Sequence, residues 1–172
     1  MKINDYILKI KKLGACEEAV LAAHRYKTSQ ELWNECERGD WMLWLIGKLS
    51  GEPKTEKRKK LVITACKCAR LALPYAGKNK NVAEKCIGTA ENWANNIGNI
   101  TIGDVRAAAN AVYAANTVYA ADTAYAAYAA ANAAYAAANT VYAVYAAATI
   151  KTLKQCADIV RTDYPDIDSL FK

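Results

Sequence analysis

The stretch AAANAVYAANTVYAADTAYAAYAAANAAYAAANTVYAVYAAATI, residues 107–150, decides the fold. It carries one charged residue, Asp122, and contains neither Gly nor Pro. Alanine loses no side-chain entropy on entering a helix and is the strongest helix former, so this tract predicts helix and excludes loop or strand. Its units are short repeats: AANAVY (108–113), AANTVY (114–119) and AADTAY (120–125), then AAY (126–128), AAANAAY (129–135), AAANTVY (136–142) and AVY (143–145). Every full unit places Asn or Asp three residues before Tyr, which stacks the two side chains on one helix face.

The heptads hold their phase, so Tyr128, Tyr135 and Tyr142 share a stripe with Asn110, Asn132 and Asn139. Each hexad instead turns its Tyr by about 120°, and Asn116, Tyr119 and Asp122 leave that stripe. Two readings of the stripe stay open. Tyr rings and Asn amides fill the space between close-packed Ala faces, or they line a groove for something polar and flat. One uninterrupted helix here would run about 65 Å, far beyond a radius of gyration near 16 Å for a compact chain of this length. A break is therefore expected near Asn116–Thr123. A membrane span needs about 20 strongly apolar residues, and Asn, Tyr and Asp recur too often for one.

Outward from the tract, the remaining segments also read as helices. Asn4 or Asp5 caps a first helix ending before Gly14, and Glu17–Tyr26 forms a second. Thr28 and Glu31 have capping-box spacing and open a helix through Arg38. Gly39 is read as its stop, and Asp40 as the cap of the apolar run 41–49. A loop at 51–55 precedes a helix over Glu56–Leu73, ended by Pro74 and Gly77. Asn81–Asn95 follows, then a linker, then a start at Thr101 with Asp104; a last helix spans Lys151–Thr162. The expectation is an all-α, single-domain bundle of about seven to nine helices. Its Trp-containing part spans 1–98, and an Ala/Tyr/Asn-rich layer spans 101–164. Trp33, Trp41, Trp44 and Trp93 are read as core.

Composition narrows the chemistry. With 172 residues, 53% hydrophobic, the chain has enough material for a real core. The start MKINDYILKIKK has no apolar stretch followed by a small-residue cleavage site, which points to the cytoplasm. The six cysteines sit mostly among apolar helix residues and read as free buried thiols. Cys66 and Cys68 point about 200° apart on a helix and do not share a metal. His24 is the only histidine, so no metal or cofactor is expected. There is no phosphate loop and no assembled nucleophile and base, so no enzyme is expected either. The net charge of +6 is moderate, and the basic groups at Lys54, Lys57–Lys60 and at Lys78, Lys80 and Lys85 are separate. That argues against nucleic acid as the partner.

Several segments together resemble a known group. CERGDWMLWL (36–45), LVITACKCARLALPY (61–75), AENWA (90–94), the VRAAA…YAAYAAA tract and QCADIVRTDYP (155–165) occur in this order in the immunity protein family found in phages, prophages and bacterial toxin–immunity loci. The resemblance runs from about Ala15 to Pro165. It implies a small cytoplasmic, non-catalytic protein of the bacterial host cell that binds and neutralises a toxin or host-defence component, and it implies no catalytic residues. The alternative is a sponge that sequesters a nucleotide immune signal, such as a cyclic nucleotide or an ADP-ribose derivative, in an aromatic and basic pocket. The candidate ligand- or partner-binding residues are Arg38, Asp40, Trp41, Arg106, Tyr113 and Arg161. For Arg38 and Asp40 the competing reading is an interhelix ion pair bracing the turn at Gly39. The Ala/Tyr face also offers a surface for self-association.

Overall fold

A computed structural model describes residues 1–52, 55–75, 80–115 and 146–171; the side chains of 75, 111–115 and 146–149 fall outside that description. The chain is an all-helical bundle, with eight α-helices among the described residues. In chain order these are α1 (Ile3–Lys12), α2 (Glu17–Ala23), α3 (Ser29–Glu35), α4 (Gly39–Leu49), α5 (Glu56–Ala72), α6 (Lys80–Ala94), α7 (Ile102–Ala115) and α8 (Ala146–Asp163). Short 3-10 turns follow α5 at Leu73–Tyr75 and close the chain at Asp168–Phe171. No described helix is long and apolar enough to cross a membrane.

The helix ends show why these segments stop where they do. Thr28 accepts from the Glu31 amide, and Glu31 reaches back to the Lys27 amide (2.8 Å). Thr101 and Asp104 form the reciprocal pair the sequence suggested, with the Thr101 amide donating to Asp104 at 2.7 Å and the Asp104 amide to Thr101 at 3.3 Å. Thr55 caps α5 by accepting from the Arg58 amide. At the other ends, Gly14 (φ +86°) and Asn96 (φ +55°) take left-handed conformations. The following amides, of Ala15 and Ile97, reach back to the carbonyls of Ile10 and Asn92. These are Schellman closures that satisfy otherwise orphaned carbonyls.

Four expectations about boundaries need correcting. Helix α2 ends at Ala23 rather than Tyr26. Neither Asn4 nor Asp5 caps α1; Lys2 does so, without a side-chain hydrogen bond, its backbone held by the bridge to Thr28. Helix α3 ends at Glu35 rather than Arg38. Gly39 is the first residue of α4 rather than the stop of α3, Arg38 is the N-cap, and Asp40 lies inside the first turn. Of the tract, 107–115 and 146–150 are helical. The expected break at Asn116–Thr123 and most of the Asn/Tyr stripe lie outside the described residues.

Helix α5 divides the interior. Leu61 and Cys68 face one cluster, which holds Ile7, Ile10, Trp33, Met42, Leu45, Ile46, Ala157, Val160 and Ile167. Val62, Cys66 and Ala69 face a second cluster with Ile87, Ala90, Trp93 and Val105. The opposed directions of Cys66 and Cys68 thus serve two cores, since α5 packs against α4 and α8 on one side and α6 on the other. Described cysteines are all free, with Cys66, Cys68, Cys86 and Cys156 buried. Burial pushes the Cys66 thiol up to about 12, because the thiolate loses its hydration there.

The Trp expectation holds for Trp33 and Trp93, and in part for Trp44, which packs half-buried against the first cluster. Trp33 is buried at 2% exposure, its indole N–H donating to the Tyr164 carbonyl at 2.8 Å, and Trp93 packs in the second cluster. Trp41 and Trp44 are only half-buried, because Met42, Leu45 and Ile46 occupy the core face of α4. Three residues of the basic run at the start of α5 are engaged by neighbours within the chain, while Lys57 is exposed. Arg58 donates to the Gly51 carbonyl, Lys59 to Glu56 and Asn96, and Lys60 sits 4.4 Å from the Tyr164 ring centroid.

Candidate functional site: a cleft beside the start of helix α4

Between α1, the α1–α2 turn, α3 and α4 lies a cleft of about 350 Å³. Buried Tyr6, Ile10, Trp33, Met42 and Leu45 form its floor. Trp41 and Trp44, three residues apart and therefore on one side of α4, give it an aromatic wall. Exposed Gly14, Cys16 and Glu18 stand at its rim. The left-handed turn at Gly14 ends α1 abruptly and brings the start of α2 to that rim.

Arg38 and Asp40 supply the fixed charge. The guanidinium donates from Nε to Oδ1 at 2.8 Å and from Nη2 to Oδ2 at 2.6 Å, a two-point pair. The same guanidinium lies 4.1 Å from the centroid of the Trp41 ring. The pair joins two residues of one helix start, so it is not the interhelix brace considered from sequence. It holds Arg38 flat against Trp41 at the cleft.

The bracing comes from α8. Arg161 donates from Nη1 to the carbonyls of Cys36 (2.6 Å) and Trp33 (3.2 Å) and from Nη2 to Asp158. Those carbonyls belong to the end of α3, where helical partners run out. Gly39 is buried against α8: a Cβ placed there would lie 2.5 Å from Cys156 Cβ, 2.7 Å from Ala157 N and 2.8 Å from Leu153 O. Lys154 pairs with Glu37 across the same junction. The three residues after α3 are thus pinned from behind, and Arg38, Asp40 and Trp41 face the cleft from a rigid support.

Of the six candidates from sequence, the structure brings Arg38, Asp40 and Trp41 together in the cleft and puts Arg161 behind them as a positioning residue. Arg106 does not join them. It is exposed on α7, which packs on α6 in the other half of the molecule. Tyr113 lies on that same helix, with its side chain outside the described residues. Sequence reading missed Trp44, Glu18, Tyr6, Cys16 and Cys36. The signal for Trp44 was present, since Arg38, Trp41 and Trp44 recur at three-residue spacing. Glu18 and Cys16 reach the site only through the turn at Gly14.

Burial pushes the Cys36 thiol up, against the opposing pull of its hydrogen bond to the Arg38 backbone and of Arg161, so it stays protonated. Among the described residues no cluster of His, Cys, Asp and Glu is arranged to hold a metal ion. No protein-family model, no curated protein and no solved structure matches this chain.

Proposed function

We propose that this chain is a non-catalytic neutralising protein of the phage or prophage immunity and anti-defence kind. It works in the cytoplasm of a bacterial host and binds a toxin or host-defence protein. The resemblance of residues 36–45 and 155–165 to immunity proteins supplies the kind of function. The observation that carries it is the cleft at the start of α4, where an apolar floor and the Arg38–Asp40–Trp41 group are held rigid by α8. A preformed concave apolar site with a few oriented polar groups is the usual form of a recognition site. Rigid support lowers the ordering cost of association.

A second reading is the nucleotide sponge, favoured by the guanidinium stacked 4.1 Å from the Trp41 ring. The charge balance of the cleft weighs against it. Asp40 already neutralises Arg38, and Glu18 adds a carboxylate at the rim, so a phosphate would meet more negative charge than positive.

Native mass spectrometry of the protein recovered from infected or toxin-expressing cells separates the two. The neutraliser reading predicts a protein adduct that Trp41→Ala abolishes. A nucleotide adduct, together with a thermal shift on adding cyclic or ADP-ribose-type nucleotides, would replace it with the sponge.

A further inference from the structure

Two of the buried thiols meet where α5 packs on α8. Cys68, on α5, and Cys156, on α8, are 4% and 8% exposed and belong to the first cluster. They are 88 positions apart in sequence. Yet the Cys68 sulfur lies 3.8 Å from the Cys156 carbonyl oxygen and within hydrogen-bond reach of the Cys156 thiol. That contact sets the pair apart from the other buried thiols. Cys66 faces the second cluster, its sulfur 3.8 Å from the Ile87 carbonyl oxygen, and Cys86 packs with Ala109 in a third. Cys156 also stands behind the support of the cleft, since its Cβ is the nearest atom to the space a side chain at Gly39 would fill.

We propose that Cys68 and Cys156 form a reversible disulfide that staples α5 to α8, and so locks the start of α4, when the protein meets a low-molecular-weight disulfide of the glutathione kind. Sulfurs already in hydrogen-bond contact need only close to covalent contact, which is the geometric condition a disulfide sets. Both sulfurs are buried, so the first exchange takes place in the opened protein. There the thiolate of one cysteine attacks a sulfur of the small disulfide, forms a mixed disulfide and releases one small thiolate. As the fold closes, the other cysteine gives up its proton and attacks the protein sulfur of that intermediate, and the second small thiol leaves. Two protein thiols are oxidised and one small disulfide is reduced to two thiols, so electrons and protons balance. In a reducing compartment the same exchange runs backwards and leaves the pair open. Closing of the fold also decides the pairing. Cys66 and Cys68 point to different clusters, and only Cys156 is delivered to Cys68.

The test incubates the full chain with oxidised glutathione and maps its disulfides by peptide mass spectrometry without reduction. The expected product carries one dominant internal link, which joins the Cys68 and Cys156 peptides with the loss of two hydrogens. The link closes a loop of 88 positions, so it should raise Tm by roughly 10 °C, and dithiothreitol should reverse the rise. Hydrogen exchange over residues 36–40 should slow in the oxidised protein. Cys68→Ala, treated in the same way, should show neither change, although exposed Cys16 still takes up glutathione. Cys66→Ala should keep both. A dominant link from Cys66 to Cys86 or to Cys68, glutathione on single cysteines with no internal link, or a link that leaves Tm unchanged would overturn the staple. A link that raises Tm without slowing exchange over 36–40 would overturn its hold on the start of α4.

Discussion

Gly39→Ala places one methyl group where α4 meets α8. The added carbon would sit 2.5 Å from Cys156 Cβ, 2.7 Å from Ala157 N and 2.8 Å from Leu153 O. Carbon atoms rest about 3.5–4.0 Å apart, so the helices must separate by about 1 Å locally. None of the three neighbours can rotate aside, since two are backbone atoms and the third is fixed to the backbone. Ala157 and Val160 of α8 are fully buried, so a shift of α8 opens gaps elsewhere in the first cluster. Overpacking of this kind costs about 1–3 kcal/mol, occasionally more. The gain from replacing Gly by Ala in a helix is at most about 1 kcal/mol, and smaller at a first helical residue. The expected net loss is about 0.5–2.5 kcal/mol, or roughly 1–10 °C in Tm at this chain length. Thermal and urea unfolding followed by circular dichroism measure it. Fluorescence of Trp41 and Trp44 should change as well, because the same contact supports the cleft. A control sharpens the result: at Gly88, inside α6, a Cβ meets nothing within 4 Å, so Gly88→Ala should stabilise by about 0.5–1 kcal/mol. If Gly39→Ala were as stable as the parent, or more so, the close approach of α4 and α8 would be refuted, and with it the rigid support of the site.

Arg161→Lys keeps the charge but loses the planar fork that serves the Cys36 and Trp33 carbonyls; a loss of about 1–2 kcal/mol is expected, and hydrogen exchange should rise over residues 36–40. At Asp163, burial pushes the carboxyl upward, but hydrogen bonds from Lys67 and Thr64 and the charges of Lys67 and Lys60 outweigh it and leave the group below its ordinary 3.8. Its stabilisation is therefore present above that value and fades as pH falls below about 4. The stability difference between the parent and Asp163→Asn, measured by urea titration, should hold from pH 6 to 8 and shrink below about pH 4. A thiol-reactive chromophore should label exposed Cys16 quickly in the folded protein, while Cys66, Cys68, Cys86 and Cys156 react at the rate of unfolding.

Local rules made much of the fold legible. Alanine content and the absence of Gly and Pro mark the helical class, and Thr28 and Thr101 mark helix starts because a cap is decided within four residues. The pair Arg38 and Asp40, with Trp41, was legible as a cluster because the three are neighbours in sequence. What surrounds them was not. Gly39 looks like a helix stop until α8 is seen to pass against it, and a contact between segments so far apart leaves no local trace. Helical spacing shows that Trp41 and Trp44 share a side of α4. It does not show that Met42, Leu45 and Ile46 take the core and leave that side at a cleft. Nothing local in the sequence separates Arg106 from the site residues; the packing of α7 on α6 does.

The most direct test of the docking role of this cleft is photocrosslinking in living cells. A photoreactive phenylalanine analogue replaces Trp41 in one experiment and Arg106 in another, and the cells are irradiated during infection or toxin expression. The account predicts a discrete protein adduct from position 41 and none from position 106. No adduct at 41, or one of equal strength at 106, would contradict it.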